Sequence, residues 1–365
     1  MKILLVGGSS GGSVAPLLAV AEEIQRQINK PSFLFVGTKT GPERILAEKT
    51  GIEFVSISAG KWRRYLSFKN ILTPFLVFAG FLESLKILRK YKPNVIFGTG
   101  SFVQVPLIWA GWCLKIPAII HQQDYVPSLA NTLCQFAAKN ITVTFQKSLR
   151  DFSSSFAMFY KTDSIEKVKY TGNPFRKRLL ESDKQKAETH FGLKKEFPTL
   201  LVLGGGTGAE FFNELIIESL QKLSKTVQII HITGRGKERP IKHENYTQLA
   251  FTTHMAEAYA AADFVLCRAG LSTLTELSAL QKIAIVVPMP KSHQQANALY
   301  VFKKQAAIVL PQEHLDSEML VDLIRKLLFE HKVQARIKHN IAKLMPKDAG
   351  KQIAKLIITN GNKRK

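Results

Sequence analysis

Along the first 150 residues, short unbroken apolar runs alternate with longer stretches whose apolar positions recur every three to four residues. The runs are Ile3–Val6, Ser32–Val36, Phe54–Ile57, Val95–Phe97, Ala118–Ile120 and Ile141–Val143. They do not alternate apolar with polar positions, which predicts strands buried on both faces. Strand–helix repetition of this kind predicts a parallel sheet covered by helices on both sides. Ligands of such sheets bind beyond the C-terminal strand ends, where the strand order reverses. The rhythm is lost over residues 150–175, where Ser153-Ser154-Ser155, Thr162 and Asp163 read as loop and Thr171-Gly172-Asn173-Pro174 as a turn. It restarts at Thr199–Leu203 and continues through Val227–Ile232, Phe264–Cys267, Ala284–Val287 and Ile308–Leu310. The expected organisation is two similar halves: a domain over residues 1–160, a linker over 161–178 and a second domain over 179–345. A last helix, about 346–360, is expected to pack back on the first domain, leaving the segment from Asn360 as a frayed basic tail.

Each half opens with a strand that runs into glycines. The first reads Gly7-Gly8-Ser9-Ser10-Gly11-Gly12-Ser13, with a helical pattern starting around Pro16. The second reads Gly204-Gly205-Gly206-Thr207-Gly208-Ala209. A helix that starts beside such a turn offers free N–H groups and a partial positive charge to an anion or a sugar. The same sequence also suits a tight turn with no ligand. The first turn lacks the Gly-Lys-Ser/Thr of a nucleotide-hydrolysing loop. A third constellation runs from Cys267 to Ala298. Arg268-Ala269-Gly270 follows a strand, Ser272 and Thr273 fall at a helix start, and Glu276 lies three residues beyond Thr273. These residues fit either a capping box or a diphosphate at a helix N-terminus, with Glu276 accepting hydrogen bonds from ribose. His293-Gln294-Gln295-Ala296-Asn297 opens the next helix, and its amides suit sugar hydroxyls as well as solvent.

Composition narrows the setting. A chain of 365 residues with 45% apolar content can bury two cores. No apolar run reaches the roughly 18 residues of a membrane span, and the first strand begins at once, so the expected compartment is the cytosol. Cys113, Cys134 and Cys267 are far apart in apolar contexts and read as core residues rather than a disulfide framework or metal site. The net charge of +23, from 51 basic and 28 acidic residues, calls for an anionic partner or reflects a generally basic proteome. No zinc-finger spacing, homeodomain-like helix or RNP pattern points to nucleic acid. Cations interleave with aromatic and aliphatic residues in Lys61–Lys69 and Ile71–Leu82. That mixture fits an anionic membrane surface, with Trp62, Phe75 and Phe78 dipping in while Arg63 and Arg64 meet lipid phosphates. Part of 71–82 also fits the buried face of a helix.

With these motifs in place, the chain resembles the MurG family. These are GT-B glycosyltransferases that move GlcNAc from UDP-GlcNAc onto lipid I, making lipid II for peptidoglycan. The likeness runs through GGSSGGSVAPLLAVA, GKWRRYLSFKNILTPF, FGTGSFVQVP, IPAIIHQQD, TGNPFRKRLL, LGGGTGA, MAEAYAAADFVLCRAGLSTLTEL and HQQANA, in that order. It implies an α/β fold of the GT-B type, two Rossmann-like doubly wound domains facing a cleft. It implies UDP-GlcNAc in the second domain. Gly205, Gly206, Thr207 and Gly208, with Gly270, Leu271, Ser272 and Thr273, would surround the diphosphate, and Arg176 would reach the nucleotide from the linker. Phe251, Thr252 and Met255 would edge the uracil, Glu276 would bind ribose, and Gln294 and Gln295 the GlcNAc hydroxyls. A lipid-linked acceptor would sit at Ser10, Gly11, Gly12, Ser13, Gly100, Ser101, Phe102 and Asp124. The protein would act peripherally at the cytoplasmic face of the cell membrane.

The resemblance implies an inverting displacement. No Asp-x-Asp motif occurs, so no protein-held metal or other cofactor is expected; a helix N-terminus and Arg176 can supply positive character. The departures lie mostly on the acceptor side. The family's Gly-Gly-His is here Gly11-Gly12-Ser13, its Gly-Gly-Tyr-x-Ser is Gly100-Ser101-Phe102-Val103-Gln104, and its His-Glu-Gln-Asn is His121-Gln122-Gln123-Asp124. Gly206 replaces the usual serine of the diphosphate turn. A serine is a poor base unless another group takes its proton, so the catalytic candidates are Asp124, Ser13 and His121. Alternatives are a related transferase acting on another lipid, or a membrane-bound UDP-sugar binder with weak catalysis.

Overall fold

The computed structural model describes residues 1–8, 11–41, 43–60, 70–157, 167–206 and 208–363, the side chains of 153–157 apart. The first seven strands are β1 (Lys2–Val6), β2 (Ser32–Gly37), β3 (Glu53–Ser56), β4 (Val95–Gly98), β5 (Ala118–Gln122), β6 (Asn140–Val143) and β7 (Val168–Tyr170). They form one parallel sheet in the order β3-β2-β1-β4-β5-β6-β7. The unbroken apolar runs have the physical reason expected of them, since successive side chains enter two different cores. Leu4 and Val6 pack with Leu34, Val36, Leu88, Leu107 and Ile108 on one face, whereas Ile3 and Leu5 pack with Phe33, Phe35, Leu17, Val20 and Ile24 on the other. That second face is completed by Ile353, Ala354 and Ile357 of the helix Ala349–Asn362.

The other six strands are β8 (Thr199–Leu203), β9 (Gln228–Ile232), β10 (Tyr246–Leu249), β11 (Phe264–Cys267), β12 (Ile283–Val286) and β13 (Ile308–Val309). They form a second parallel sheet, β10-β9-β8-β11-β12-β13. Its core joins Leu200 and Val202 to Phe212, Leu215, Ile216 and Ile324. The chain divides into two compact units, Met1–Arg176 with Pro346–Lys365, and Lys177–Met345. Each sheet has the doubly wound order, reversing between β1 and β4 in the first unit and between β8 and β11 in the second. The glycine-rich turns follow β1 and β8, so each begins at its sheet's switch point.

Several sequence expectations are corrected. β7 and β10 are strands where none is expected, and Ser153-Ser154-Ser155 fall inside the helix Lys147–Ala157. The first helix begins at Gly11, with Pro16 inside it. Asn360 is not frayed: its amide donates to Asn140 Oδ1 at 3.1 Å and its residue is buried, because the last helix lies against the first sheet. Cys134 and Cys267 are buried, but Cys113 ends the helix Gln104–Cys113 on the surface.

Candidate functional site

In the second unit, the C-terminal ends of β10, β9, β8 and β11 lie side by side along one edge. β8 ends in Gly204-Gly205-Gly206, and the helix Glu210–Leu223 starts just after Gly208. Gly208 has φ +72°, and a Cβ there would collide with the carbonyl oxygen of Thr233. The turn is thus pressed against the loop that follows β9, which only a glycine allows. Thr207, between them, lies outside the described residues. After β11, Gly270 precedes the helix Leu271–Leu280, and no side chain caps that start through Gly270. Thr273 is the third residue inside this helix, and Glu276 instead accepts the Tyr259 hydroxyl at 2.7 Å. The capping box is therefore not formed. Glu276 is linked to the helix Met255–Ala261, whose first residue is on the expected uracil edge.

The remaining donor-side candidates are spread along the same edge. Phe251 is part-exposed, and Thr252 Oγ1 accepts the His254 N–H at 3.0 Å, closing the loop after β10. Gln294 begins the helix Gln294–Lys303, and its Oε1 accepts the Met289 N–H at 3.1 Å. Gln295 is exposed beside it. Asn297 donates to Ala269 O at 3.2 Å, tying this helix to the loop after β11. Arg268, which sequence reasoning did not select, donates to Val287 O, Pro288 O and Gln312 Oε1 and stacks 4.7 Å from the Phe212 ring centroid. It braces three loops; its position directly after a strand at the switch point was the available signal. Arg176 belongs to the first unit, and its Nε is buried with no hydrogen-bond partner among the described residues.

In the first unit, Ser13 Oγ donates to Gly8 O at 2.8 Å, and Ser101 Oγ donates to the same oxygen at 3.0 Å. A carbonyl oxygen does not take up a proton at working pH, so this contact orders the turn rather than activating Ser13. Gly11, Gly12 and Ser13 are the first residues of the helix Gly11–Gln27; Ser10 lies outside the described residues. Behind the turn, the fully buried Glu43 carboxylate fills the place where a Cβ of Gly8 would sit and accepts from the Thr38 N–H and hydroxyl. Sequence reasoning missed Glu43.

A polar network links the loops after β1, β4 and β5. Thr99 Oγ1 donates to Ser13 O at 2.6 Å, and Thr99 O accepts from Gln123 Nε2 at 3.0 Å. Gly100, with φ +88°, donates to Gln104 Oε1, and Gln104 Nε2 donates to Asn131 Oδ1 at 2.7 Å. Asn131 in turn donates to His121 O and Gln122 Oε1. Asp124, half-exposed, follows on this braced loop, and Gln122 donates to its backbone oxygen. Phe102 is also half-exposed. His121 is corrected as a base. It is fully buried, with Nδ1 2.9 Å from Thr142 Oγ1 and Nε2 3.0 Å from Asn173 Oδ1. Burial pushes the imidazole down to about 4, so it is neutral and holds Asn173 in place.

The helix Thr73–Tyr91 buries Thr73, Gly80, Ser84 and Leu88 and exposes the large apolar side chains of Phe75, Leu76, Phe78 and Leu82. Phe75 is 72% and Phe78 63% exposed, the reverse of an ordinary amphipathic surface helix. Trp112, edge-on to Phe136 at 5.6 Å, adds a second exposed aromatic pair that sequence reasoning missed. Trp62, Arg63 and Arg64 lie outside the described residues. No helix is long and apolar enough to cross a membrane among the described residues, and no cluster of three or more His, Cys, Asp or Glu there is arranged to hold a metal ion.

Residues 3–143 match the model of the glycosyltransferase family 28 N-terminal domain, and residues 199–353 that of its C-terminal domain. The chain is 32% identical, over 98% of its length and 99% of the relative's, to the UDP-N-acetylglucosamine–N-acetylmuramyl-(pentapeptide) pyrophosphoryl-undecaprenol N-acetylglucosamine transferase of Thermoanaerobacter sp. (strain X514). It is 36% identical to the protein of the same name from Lachnoclostridium phytofermentans, over 91% of this chain and 92% of the relative. The crystal structure of MurG from Acinetobacter baumannii has the same fold, with a TM-score of 0.70, 23% identity and coverage of 98% of this chain and 99% of that one. The two switch-point turns thus sit within a two-domain GT-B fold, and the chain belongs to glycosyltransferase family 28 and, within it, to the MurG family.

Proposed function

We propose that this chain transfers GlcNAc from UDP-GlcNAc to the C4 hydroxyl of undecaprenyl-diphospho-MurNAc-pentapeptide (lipid I), forming lipid II, with inversion at the anomeric carbon. The observation that carries this reading is the second unit's switch point, where the Gly204–Gly208 turn and the helix start at Gly270 follow adjacent strands. It occurs in a chain that matches transferases of that name over nearly its whole length. Backbone N–H groups at Gly205, Gly206, Thr207 and Gly208 and at Leu271, Ser272 and Thr273, preceded by Gly270, suit a diphosphate. Phe251, Thr252 and Met255 take the uracil edge, Glu276 the ribose, and Gln294 and Gln295 the sugar hydroxyls, with Arg176 assisting at the nucleotide.

The acceptor is assigned to the first unit, at Ser10, Gly11, Gly12 and Ser13 and at Gly100, Ser101, Phe102 and Asp124. Its C4 oxygen attacks the GlcNAc anomeric carbon, the bond from that carbon to the diphosphate oxygen breaks, UDP departs, and the hydroxyl proton passes to Asp124. Asp124 is the base in this scheme because Ser13 is tied to Gly8 O and His121 is buried. No protein-held metal enters it. The exposed face of the helix Thr73–Tyr91, together with Trp62, Arg63 and Arg64, is assigned to the membrane surface at its cytoplasmic face, where the lipid-linked acceptor lies.

The test is radiolabelled UDP-GlcNAc with a lipid I analogue, followed by product analysis. Formation of the lipid-linked disaccharide with release of UDP is expected. Transfer to other lipids only, or UDP binding without transfer, overturns the acceptor assignment.

A further inference from the structure

The loop after β9 carries a cation that the donor site described above does not use. In sheet order β9 lies between β10, whose loop holds Phe251, and β8, whose turn ends at Gly208. The loop reads Thr233-Gly234-Arg235-Gly236, with φ +95° at Gly234 and +72° at Gly236. Its backbone is clamped from two sides. Gly208 is pressed on the Thr233 carbonyl, and the buried Asn213 amide donates to that same oxygen at 3.3 Å. Between the two glycines, the exposed Arg235 lays its guanidinium 4.9 Å from the Phe251 ring centroid.

The two arginines nearest in the fold to this loop's neighbours are committed elsewhere. Arg268 donates to Val287 O, Pro288 O and Gln312 Oε1. Arg239 pairs with Glu210 Oε1 at 2.8 Å. Among the described residues, Arg235 pairs with no carboxylate. A guanidinium that stacks on an aromatic ring uses its face, and the N–H groups in its plane remain directed outward. Two parallel N–H donors match the oxygens of a phosphate.

We propose that Arg235 is a donor-recognition residue that contacts the diphosphate of the UDP-sugar, with Phe251 as the platform holding its guanidinium at the glycine turn. This rests on the reading of the second unit as the UDP-GlcNAc site. Phe251 then serves two partners, the uracil at its edge and Arg235 on its face. Lys237, in the same loop, has no ring to hold it among the described residues and serves as the control for general charge.

The experiment measures calorimetric binding of UDP and of uridine to the full chain, with KM and kcat for UDP-GlcNAc, in wild type, Arg235→Ala, Arg235→Lys and Lys237→Ala. For Arg235→Ala, about a tenfold loss of UDP affinity and a similar rise in KM are expected, with kcat within about twofold. Uridine affinity should stay within about twofold, because uridine has no phosphate. Arg235→Lys should recover part of the loss, and Lys237→Ala should change UDP affinity by less than about twofold. Unchanged UDP affinity in Arg235→Ala, or an equal loss for UDP and uridine, overturns the inference. Wild-type protein that binds UDP but transfers nothing overturns the activity and leaves Arg235 supported if the UDP–uridine difference holds. Wild-type protein that binds neither overturns both.

Discussion

The two units share a strand order but hold their switch points in different ways. In the second unit close backbone contact and stacking add to side-chain bonds, as where Gly208 meets Thr233, Arg268 covers Phe212 and Arg235 covers Phe251, while Asn213 and Asn297 donate to Thr233 O and Ala269 O. In the first unit the loops are held by buried polar side chains that bond to backbone in the loops or at the strand end beside them: Glu43, Ser101, Gln104, Gln123 and Asn131. Backbone contact leaves little to vary without losing the turn. A side-chain network can exchange members while keeping its connections. Ser13 and Gln122, two positions at which the sequence reads differently from the family's motifs, both belong to that network, Ser13 through Gly8 O and Gln122 through Asp124 O.

The sharpest way to break the comparison is to assign proton transfer and donor binding to separate units. Asp124→Asn should lower kcat by about 100-fold or more, with KM for UDP-GlcNAc within about twofold. Ser13→Ala should cost less than about fivefold. Equal losses from both would return Ser13 to the chemistry.

The next effect concerns pH. Each unit buries one histidine on a strand, His121 on β5 and His231 on β9, and burial pushes each down to about 4. The unfolded chain, with ordinary histidines near 6.5, therefore binds the protons first as pH falls. Stability should be full above about pH 6.5 and decline from there toward pH 4, by about 3 kcal/mol per ring. Urea midpoints measured from pH 7 to 4.5 follow it. The two rings differ, since both nitrogens of His121 are bonded while His231 Nε2 is buried with no partner among the described residues. His231→Gln should remove part of the acid sensitivity at little cost at pH 7, and His121→Gln should destabilise at pH 7 as well.

Smaller again, Gln104→Ala should cost about 2 kcal/mol in urea unfolding, because it strands the Gly100 N–H and Asn131 Oδ1. Gln295→Ala in the second unit should leave stability unchanged within about 0.5 kcal/mol, since that side chain is exposed. Least of all on folding, Phe75→Ser with Phe78→Ser should shift the urea midpoint barely, while reducing sedimentation with anionic vesicles about tenfold. Undiminished vesicle binding would remove that helix from the membrane assignment.

The fold was legible where burial on both faces left unbroken apolar runs, as in Ile3–Val6 and Phe264–Cys267. β7 and β10 escaped because Val168-Lys169-Tyr170 and Tyr246-Thr247-Gln248-Leu249 are short, carry polar residues and lie at or near sheet edges. The start of the first helix was placed late because Gly11-Gly12 has poor intrinsic helix propensity, and the switch-point position overrides it. Site motifs built on glycine could be read directly, because each needs a residue type and a position. Roles set by long-range packing could not. Nothing local distinguishes a base at His121 from a buried ring bonded to Asn173, 52 residues later. Glu43 likewise sits in an unremarkable surface-like sequence yet is fully buried under Gly8.

The helix Ala349–Asn362 completes the core of a unit whose first strand is Lys2–Val6. During synthesis the second unit, being continuous, can fold as soon as residue 345 has emerged from the ribosome. The first unit begins earlier and finishes later. Until the last helix arrives, Ile3, Leu5, Val95 and Phe97 lack the cover of Ile353, Ala354 and Ile357. Nascent chains arrested shortly after residue 345 should therefore carry a protease-resistant second unit and a first unit that still depends on chaperones.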